Sequence, residues 1–336
     1  MSNSLEELFI EIGERGSWPE CYDRVEIVRD RIDCYANKLI EDYDPVQMWD
    51  FKRQVERWLE NVDSIDEKFL LLNCLTYFTF FNRDHDGALY REALNGVITQ
   101  WLIDINEIDI CSSSLSADIE KAIKSTLFSA ATDSMDIATF CHTNNITNKK
   151  RPVWFAVIDK KDTPEQLREK ARAWSATLKE WKRRQIVVLE DFIGSGRQIR
   201  PLIDFLANMH ELKALIVPLT ICPQGDSAIR DYIAENGFEN LSYAPVTVLP
   251  DALVLGTGNA NSNEILVRLK KFAQDHHDKV IGASRRTPPA FLGYGDIGAL
   301  FAKYTNCPNN SLPLFWYGEN VNWTPLFRRN ERMNDD

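Results

Sequence analysis

Glu190 and Asp191 are adjacent acids that follow directly on the apolar run Ile186-Val-Val-Leu189, and Gly194-Ser195-Gly196 comes shortly after them. Ile199-Arg-Pro-Leu-Ile-Asp-Phe-Leu206 then has the apolar spacing of a helix. Each residue type suits one part of a ligand. Glycines let the main chain turn tightly and approach a bound group closely. Amides at the start of a helix favour an anion, and Ser195 adds a hydroxyl donor. Carboxylates repel a phosphate, but they accept hydrogen bonds from hydroxyls or hold a divalent cation through oxygen. A phosphate beside two hydroxyls is a sugar phosphate, and that is the chemistry the pattern predicts. The alternative is a plain strand-turn-helix with a glycine turn; the acid pair argues against it.

The elements around this segment must hold it. Short apolar runs at Thr126–Ala130, Val153–Ile158, Ile186–Leu189, Ala214–Leu219 and, more weakly, Ser242–Leu249 read as strands. Helical patterns at Pro164–Trp181, Ile199–Met209 and Asp226–Asn236 fall between them. That rhythm predicts βαβ units and a mostly parallel sheet with flanking helices. Ligands of such sheets lie at the carboxyl ends of the strands, so two more loops become candidates. Thr132-Asp-Ser-Met-Asp136 is polar and turn-forming, and an ordinary helix cap explains it equally well. Asp159-Lys160-Lys161-Asp-Thr-Pro164 offers Lys160 and Lys161, cations that could screen a departing anionic group.

Residues 1–118 read as an all-helical region. Val25, Val28, Ile32, Tyr35 and Leu39 share one helix face. Asp44-Pro45 reads as a helix start, Ser64 with Glu67 as a capping box, Phe69–Phe81 as a buried helix and Asn82–Gly87 as a turn. Ser112-Ser-Ser114 is the nearest approach to a boundary, so the α/β domain is expected over 119–336. Its last part, about 285–330, is rich in Gly, Pro, Asn and aromatic residues and reads as an irregular cap. Phe315, Trp316 and Trp323 there could bind a base or a partner, or close the core edge.

The composition sets outer limits. A chain of 336 residues with net charge -11 is no general nucleic-acid binder, and Lys182-Arg183-Arg184 reads as a solvated helix end. The seven cysteines lack any C-x-x-C spacing, which fits reduced thiols and a cytoplasmic location. The N-terminal residues lack a signal peptide's basic and apolar regions, and Phe69–Phe81 is too short to cross a bilayer. His276-His277 cannot easily meet one metal from one helix, and Asp84-His85-Asp86 reads as a polar turn. A Walker loop, a dinucleotide fingerprint and a His-Glu-x-x-His zinc motif are all missing.

The string from Ile186 to Gly196 resembles the ribose-phosphate loop of type I phosphoribosyltransferases, and its Glu-then-Asp order is most similar to the purine-salvage members. The resemblance implies that Glu190 and Asp191 hold the ribose hydroxyls of phosphoribosyl pyrophosphate together with magnesium. It implies that Ile193, Gly194, Ser195, Gly196, Arg197 and Gln198 line the 5′-phosphate, with Lys160 or Lys161 receiving the pyrophosphate. Gly194 departs from the pattern, since purine-salvage members carry an aspartate there that assists the base. Gln198 stands where a Thr or Ser usually adds a hydroxyl.

A looser resemblance covers the C-terminal segment. Gly293-Tyr-Gly-Asp296 and Asn306-Cys-Pro-Asn-Asn310 with Leu312-Pro-Leu-Phe-Trp316 are similar to phosphoribosyltransferase-like proteins of bacterial conflict and antiphage systems, some of them retron-linked. This resemblance implies a defence effector with glycosyltransferase chemistry. Its partners would be other proteins, or a reverse transcriptase with its non-coding RNA, reached through the helical region, or a second copy of the chain. The alternative is a non-catalytic module that senses a nucleotide or ribose phosphate, or a scaffold in a defence complex.

Overall fold

The computed structural model describes residues 4–15, 17–40, 43–45, 50–147, 150–159, 161–258, 263–282, 288–318 and 322–329. In chain order the elements begin with helices α1 (Leu5–Glu14), α2 (Val25–Cys34), α3 (Phe51–Leu59) and α4 (Ile65–Tyr77). Strand β1 (Thr79–Phe81) and helices α5 (Arg83–Glu92), α6 (Thr99–Ile105) and α7 (Leu115–Ser125) follow. Strand β2 (Thr126–Ala130), α8 (Ile137–Thr143), α9 (Pro164–Glu180), β3 (Gln185–Ile193) and α10 (Arg200–Ala207) come next. The remainder is β4 (Lys213–Ile221), α11 (Pro223–Asn236), β5 (Leu241–Tyr243), β6 (Thr247–Val248), α12 (Glu264–Asp275), α13 (His277–Ile281), β7 (Phe301–Lys303) and α14 (Pro313–Trp316). The chain separates into two units, one formed by Met1–Asp84 with Pro250–Asp336 and the other by His85–Leu249.

The central unit carries the sheet. Its order is β2-β3-β4-β5, with β6 pairing beside the end of β4, and every pairing is parallel. Both faces are covered. Ile186, Val188, Ala214 and Ile216 lie in a cluster with Leu167, Ala171 and Leu178 of α9 and Leu202, Phe205 and Leu206 of α10. Val187, Leu189, Leu215 and Val217 join Leu94, Ile98, Leu102 and Phe140 in a second cluster. Burial on both faces explains why these strands read as unbroken apolar runs, with none of the alternation of a half-exposed strand. Thr163 caps α9 in a true capping box with Gln166, ahead of Pro164.

Two sequence expectations change in this unit. Val153–Ile158 is not a strand: Val153 makes one parallel bridge to Ala130, and Trp154–Ala156 is a 3-10 turn. The turn lets Trp154 sink completely into the core, 5.0 Å from the Trp174 ring and 5.3 Å from Phe205. A short apolar run does not distinguish that outcome from a strand. The run near Ser242–Leu249 resolves into two short strands, β5 and β6.

The other unit combines the N-terminal helices with the C-terminal segment. One cluster contains Ile12, Trp58, Leu71 and Phe78 together with Leu269, Phe315, Trp323 and Phe327. Phe315 stacks on Trp58 at 5.5 Å, and the indole N–H groups of Trp58 and Trp323 both donate to the Leu314 carbonyl at 3.0 Å. Phe315, Trp316 and Trp323 are therefore core residues, each buried, and the base-binding alternative for them falls away. The region is not purely helical, because β1 pairs with β7 in parallel.

Several local expectations in this unit are also corrected. The helix expected at Asp44-Pro45 starts at Phe51, with Asp50 accepting from the Arg53 amide, and residues 46–49 lie outside the described residues. Ser64 precedes α4 without a side-chain cap; Glu67 lies 3.4 Å from His276 Nε2 instead. Asn82–Gly87 runs largely into α5, so Asp84-His85-Asp86 sits on a helix. Among the described residues, no helix is long and apolar enough to cross a membrane.

Candidate functional site

Strand β3 runs past the apolar core and ends at Ile193, so Glu190 and Asp191 belong to its last turn of pleat and do not follow it. The reason is pairing: β4 continues alongside, with Glu190 opposite Pro218 and Phe192 opposite Thr220. Neighbouring β2 stops earlier, at Ala130 opposite Leu189. The chain leaving β2 therefore turns beside the acids, anchored by the Ala131 amide donating to the Leu189 carbonyl at 2.9 Å.

That turn supplies a hydroxyl partner to each carboxylate. The Thr132 amide donates to Glu190 Oε2 at 3.0 Å, and the Thr132 hydroxyl reaches Oε1 at 2.8 Å and Oε2 at 3.0 Å. Ser134 donates to Asp191 Oδ1 at 2.8 Å, and that same oxygen accepts from the Phe192 amide at 2.9 Å. The two hydroxyls are 2.6 Å apart. Glu190 is buried and Asp191 half-buried. From sequence the turn is no more than a candidate. The structure places its two hydroxyls on the acids.

The glycine loop comes next. Ile193 is buried and its carbonyl accepts from the Cys222 amide at 2.9 Å, which ties the end of β3 to the start of α11. Gly194 and Gly196 are buried, Ser195 is half-buried, and Arg197 and Gln198 are exposed. Gly196 has φ +72°, a left-handed conformation that a side chain rarely adopts. A Cβ on Gly225, in the first turn of α11, would lie 2.3 Å from the Gly194 carbonyl oxygen. A Cβ on Gly196 would lie 3.0 Å from the Gly225 carbonyl oxygen. The two backbones thus interlock, and Gly225 has a part that sequence reading overlooked. Its only signal was a glycine placed early in a helix, where it lowers helix propensity for no local gain.

Beneath the loop the thiol of Cys222 is fully enclosed, and burial pushes its pKa up to about 12. Below the β2 turn, Trp154 donates to the Ser129 hydroxyl at 2.8 Å, and Ser129 donates to the Val187 carbonyl at 3.0 Å. These buried bonds fix β2 against β3 directly under the acids.

No hydrogen bond or ion pair among the described residues joins Lys161 to the acid pair. Lys161 sits exposed in the turn before α9, its amide donating to Asp159 at 2.9 Å, and its ammonium makes no hydrogen bond or ion pair among the described residues. Lys160 lies outside the described residues. Among the described residues, no group of three His, Cys, Asp or Glu side chains is arranged to hold a metal ion. Glu190 and Asp191 are two hard oxygen donors side by side. That set suits a cation such as magnesium, which dehydrates reluctantly and brings phosphate and water oxygens as its other ligands.

A doubly covered parallel sheet, an acid pair at a strand end and an interlocked glycine loop define a phosphoribosyltransferase-like domain. The sequence model of the PRTase-CE family, a phosphoribosyltransferase-like domain, matches residues 55–329, and the chain belongs to that family. No curated protein and no solved structure matches it.

Proposed function

We propose that the chain binds phosphoribosyl pyrophosphate, or a related ribose phosphate, with magnesium at the carboxyl end of β3, and transfers the phosphoribosyl group to an acceptor. The single observation that carries this reading is the pair Glu190 and Asp191, side by side and satisfied by two hydroxyl donors next to the glycine loop. Carboxylates in that setting accept from sugar hydroxyls. The loop amides and the Ser195 hydroxyl suit the 5′-phosphate. As the bond from the anomeric carbon to pyrophosphate breaks, the carbon gains positive character, and the nearby negative charge of Glu190 and Asp191 stabilises it. Bound with the substrate, magnesium supplies neutralisation of the pyrophosphate charge. Lys161, and Lys160 beside it, are proposed to meet that charge when the loop before α9 closes over the substrate.

The proposed setting is bacterial antiphage defence. It rests on the Gly293–Asp296 and Asn306–Trp316 motifs, with a retron reverse transcriptase and its RNA among the partners, and on family membership over residues 55–329. A second reading, a non-catalytic ribose-phosphate sensor, is favoured by one feature: Gly194 stands where a base-assisting acid would be. Magnesium-dependent release of pyrophosphate from phosphoribosyl pyrophosphate, measured over a panel of nucleobases, separates the two. Release that is abolished by Asp191→Asn supports the enzyme. Binding without release supports the sensor.

A further inference from the structure

The β2 turn does more than cap a strand. Thr132 Oγ1 and Ser134 Oγ form a pair of neighbouring hydroxyls, 2.6 Å apart, one directed at Glu190 and the other at Asp191. Neighbouring hydroxyls on one sugar ring present the same chemistry to an acid pair. We propose that Thr132 and Ser134 stand in for the ribose diol when the site is empty, and that a ribose phosphate must displace this turn to reach the carboxylates. The inference rests on the ribose-phosphate reading of the site and adds to it what governs affinity there.

Proton counting supports displacement. The two hydroxyls carry one proton each, yet three short oxygen–oxygen contacts depend on them: Thr132 to Glu190, Ser134 to Asp191, and Thr132 to Ser134. The two hydroxyl protons serve at most two of the three contacts. A ligand that brings two hydroxyls of its own meets both acids and frees the turn's hydroxyls for water. The turn is also short enough to move alone. Ala131 and Met135 on either side are buried, while Thr132 and Ser134 are half-buried and Asp133 is exposed. Beyond it, α8 has its own cap, with Asp136 accepting from the Thr139 amide at 2.9 Å. Movement of residues 132–134 therefore leaves β2 and α8 in place.

A masked site follows the arithmetic of a fractionally competent one: apparent affinity is reduced by the fraction of molecules in which the acids are open. Removing the hydroxyls raises that fraction, so affinity rises. A turn that merely positions the acids predicts the opposite sign, because its loss lowers affinity.

The test uses the full chain, with ribose 5-phosphate and magnesium as titrant, in the wild type, Ser134→Ala and Thr132→Val/Ser134→Ala. The expected result is about tenfold tighter binding in the double variant, equivalent to ~1.4 kcal/mol, with a smaller gain for Ser134→Ala. Ser134→Ala removes only one half-buried hydroxyl and keeps the test valid if the double variant fails to fold. The ligand-induced rise in melting temperature should also grow, even as the free variants melt lower. With 2-deoxyribose 5-phosphate, which brings one ring hydroxyl fewer, the gain should shrink. Equal or weaker binding of ribose 5-phosphate by the variants overturns the stand-in while leaving the site itself established. An equal gain with the deoxy sugar overturns replacement of the diol. Failure of wild type and variants alike to bind overturns both this inference and the ribose-phosphate reading.

Discussion

Substituting Gly225 with alanine isolates the interlock between α11 and the glycine loop. The added Cβ falls 2.3 Å from the Gly194 carbonyl oxygen and 3.2 Å from Ile221 Cγ1. The first neighbour is backbone, so no rotamer change relieves it. Restoring an ordinary contact of 3.4 Å requires the loop to retreat by about 1 Å. Overpacking of this kind costs ~1–3 kcal/mol of stability. The effect on binding is of similar size, because a misplacement of ~1 Å in a positioning element can cost ~100-fold, equivalent to ~2.7 kcal/mol. Urea unfolding gives the first quantity, and calorimetric titration with phosphoribosyl pyrophosphate and magnesium gives the second. Gly225→Ala should lower the unfolding midpoint modestly and weaken binding by one to two orders of magnitude. A variant that unfolds at the same midpoint and binds as tightly as wild type refutes the interlock as a constraint on the site.

Two further outcomes follow from buried groups. Trp154→Phe deletes the indole N–H that donates to Ser129, and about 1–3 kcal/mol should be lost in urea unfolding, with Trp154→Ala costing ~3–5 kcal/mol. Burial raises the thiols of Cys222 and Cys307 to about 12, so both stay protonated in the folded chain after their unfolded counterparts ionise near the ordinary thiol value of 9.0. The unfolded state then binds fewer protons, and stability should fall from about pH 9 towards 12, by ~1.4 kcal/mol per pH unit for each thiol. Unfolding followed from pH 8 to 11 reads this directly. Cys222→Ala/Cys307→Ala should make the slope shallower, while Cys74, whose thiol burial also pushes up, keeps part of it.

What could be read from sequence depended on how local the cause was. Thr126–Ala130 matches β2 to the residue, because a strand buried on both faces carries apolar side chains on each, Leu127 on one and Phe128 on the other. Pro164–Glu180 was legible from Thr163, Pro164 and Gln166, which act within a single turn. Val153–Ile158 is not legible as a turn, because burial of Trp154 depends on Trp174 and Phe205, outside that run. Asp50, which caps α3, lies outside the Asp44-Pro45 start signal, so the cap of this helix is not legible from that dipeptide. At the site, the acids and the glycine loop could be read because they are contiguous. Thr132, Ser134 and Gly225 approach them only through the parallel register of β2, β3 and β4, which no spacing rule reveals. The helices before Asp84 share a core with aromatics after Pro250, an association between chain segments that no local pattern carries.

The central claim is that a ribose phosphate binds at Glu190 and Asp191. Calorimetric titration of phosphoribosyl pyrophosphate with magnesium into the wild type and into Glu190→Gln/Asp191→Asn tests it most directly. The amide substitutions keep the volume of the buried Glu190 side chain and remove both charges. Saturable binding to the wild type, lost or weakened at least 100-fold in a variant with an unchanged circular dichroism spectrum, is the predicted result. Equal affinity in the two proteins contradicts it, and would place any ribose phosphate somewhere other than the end of β3.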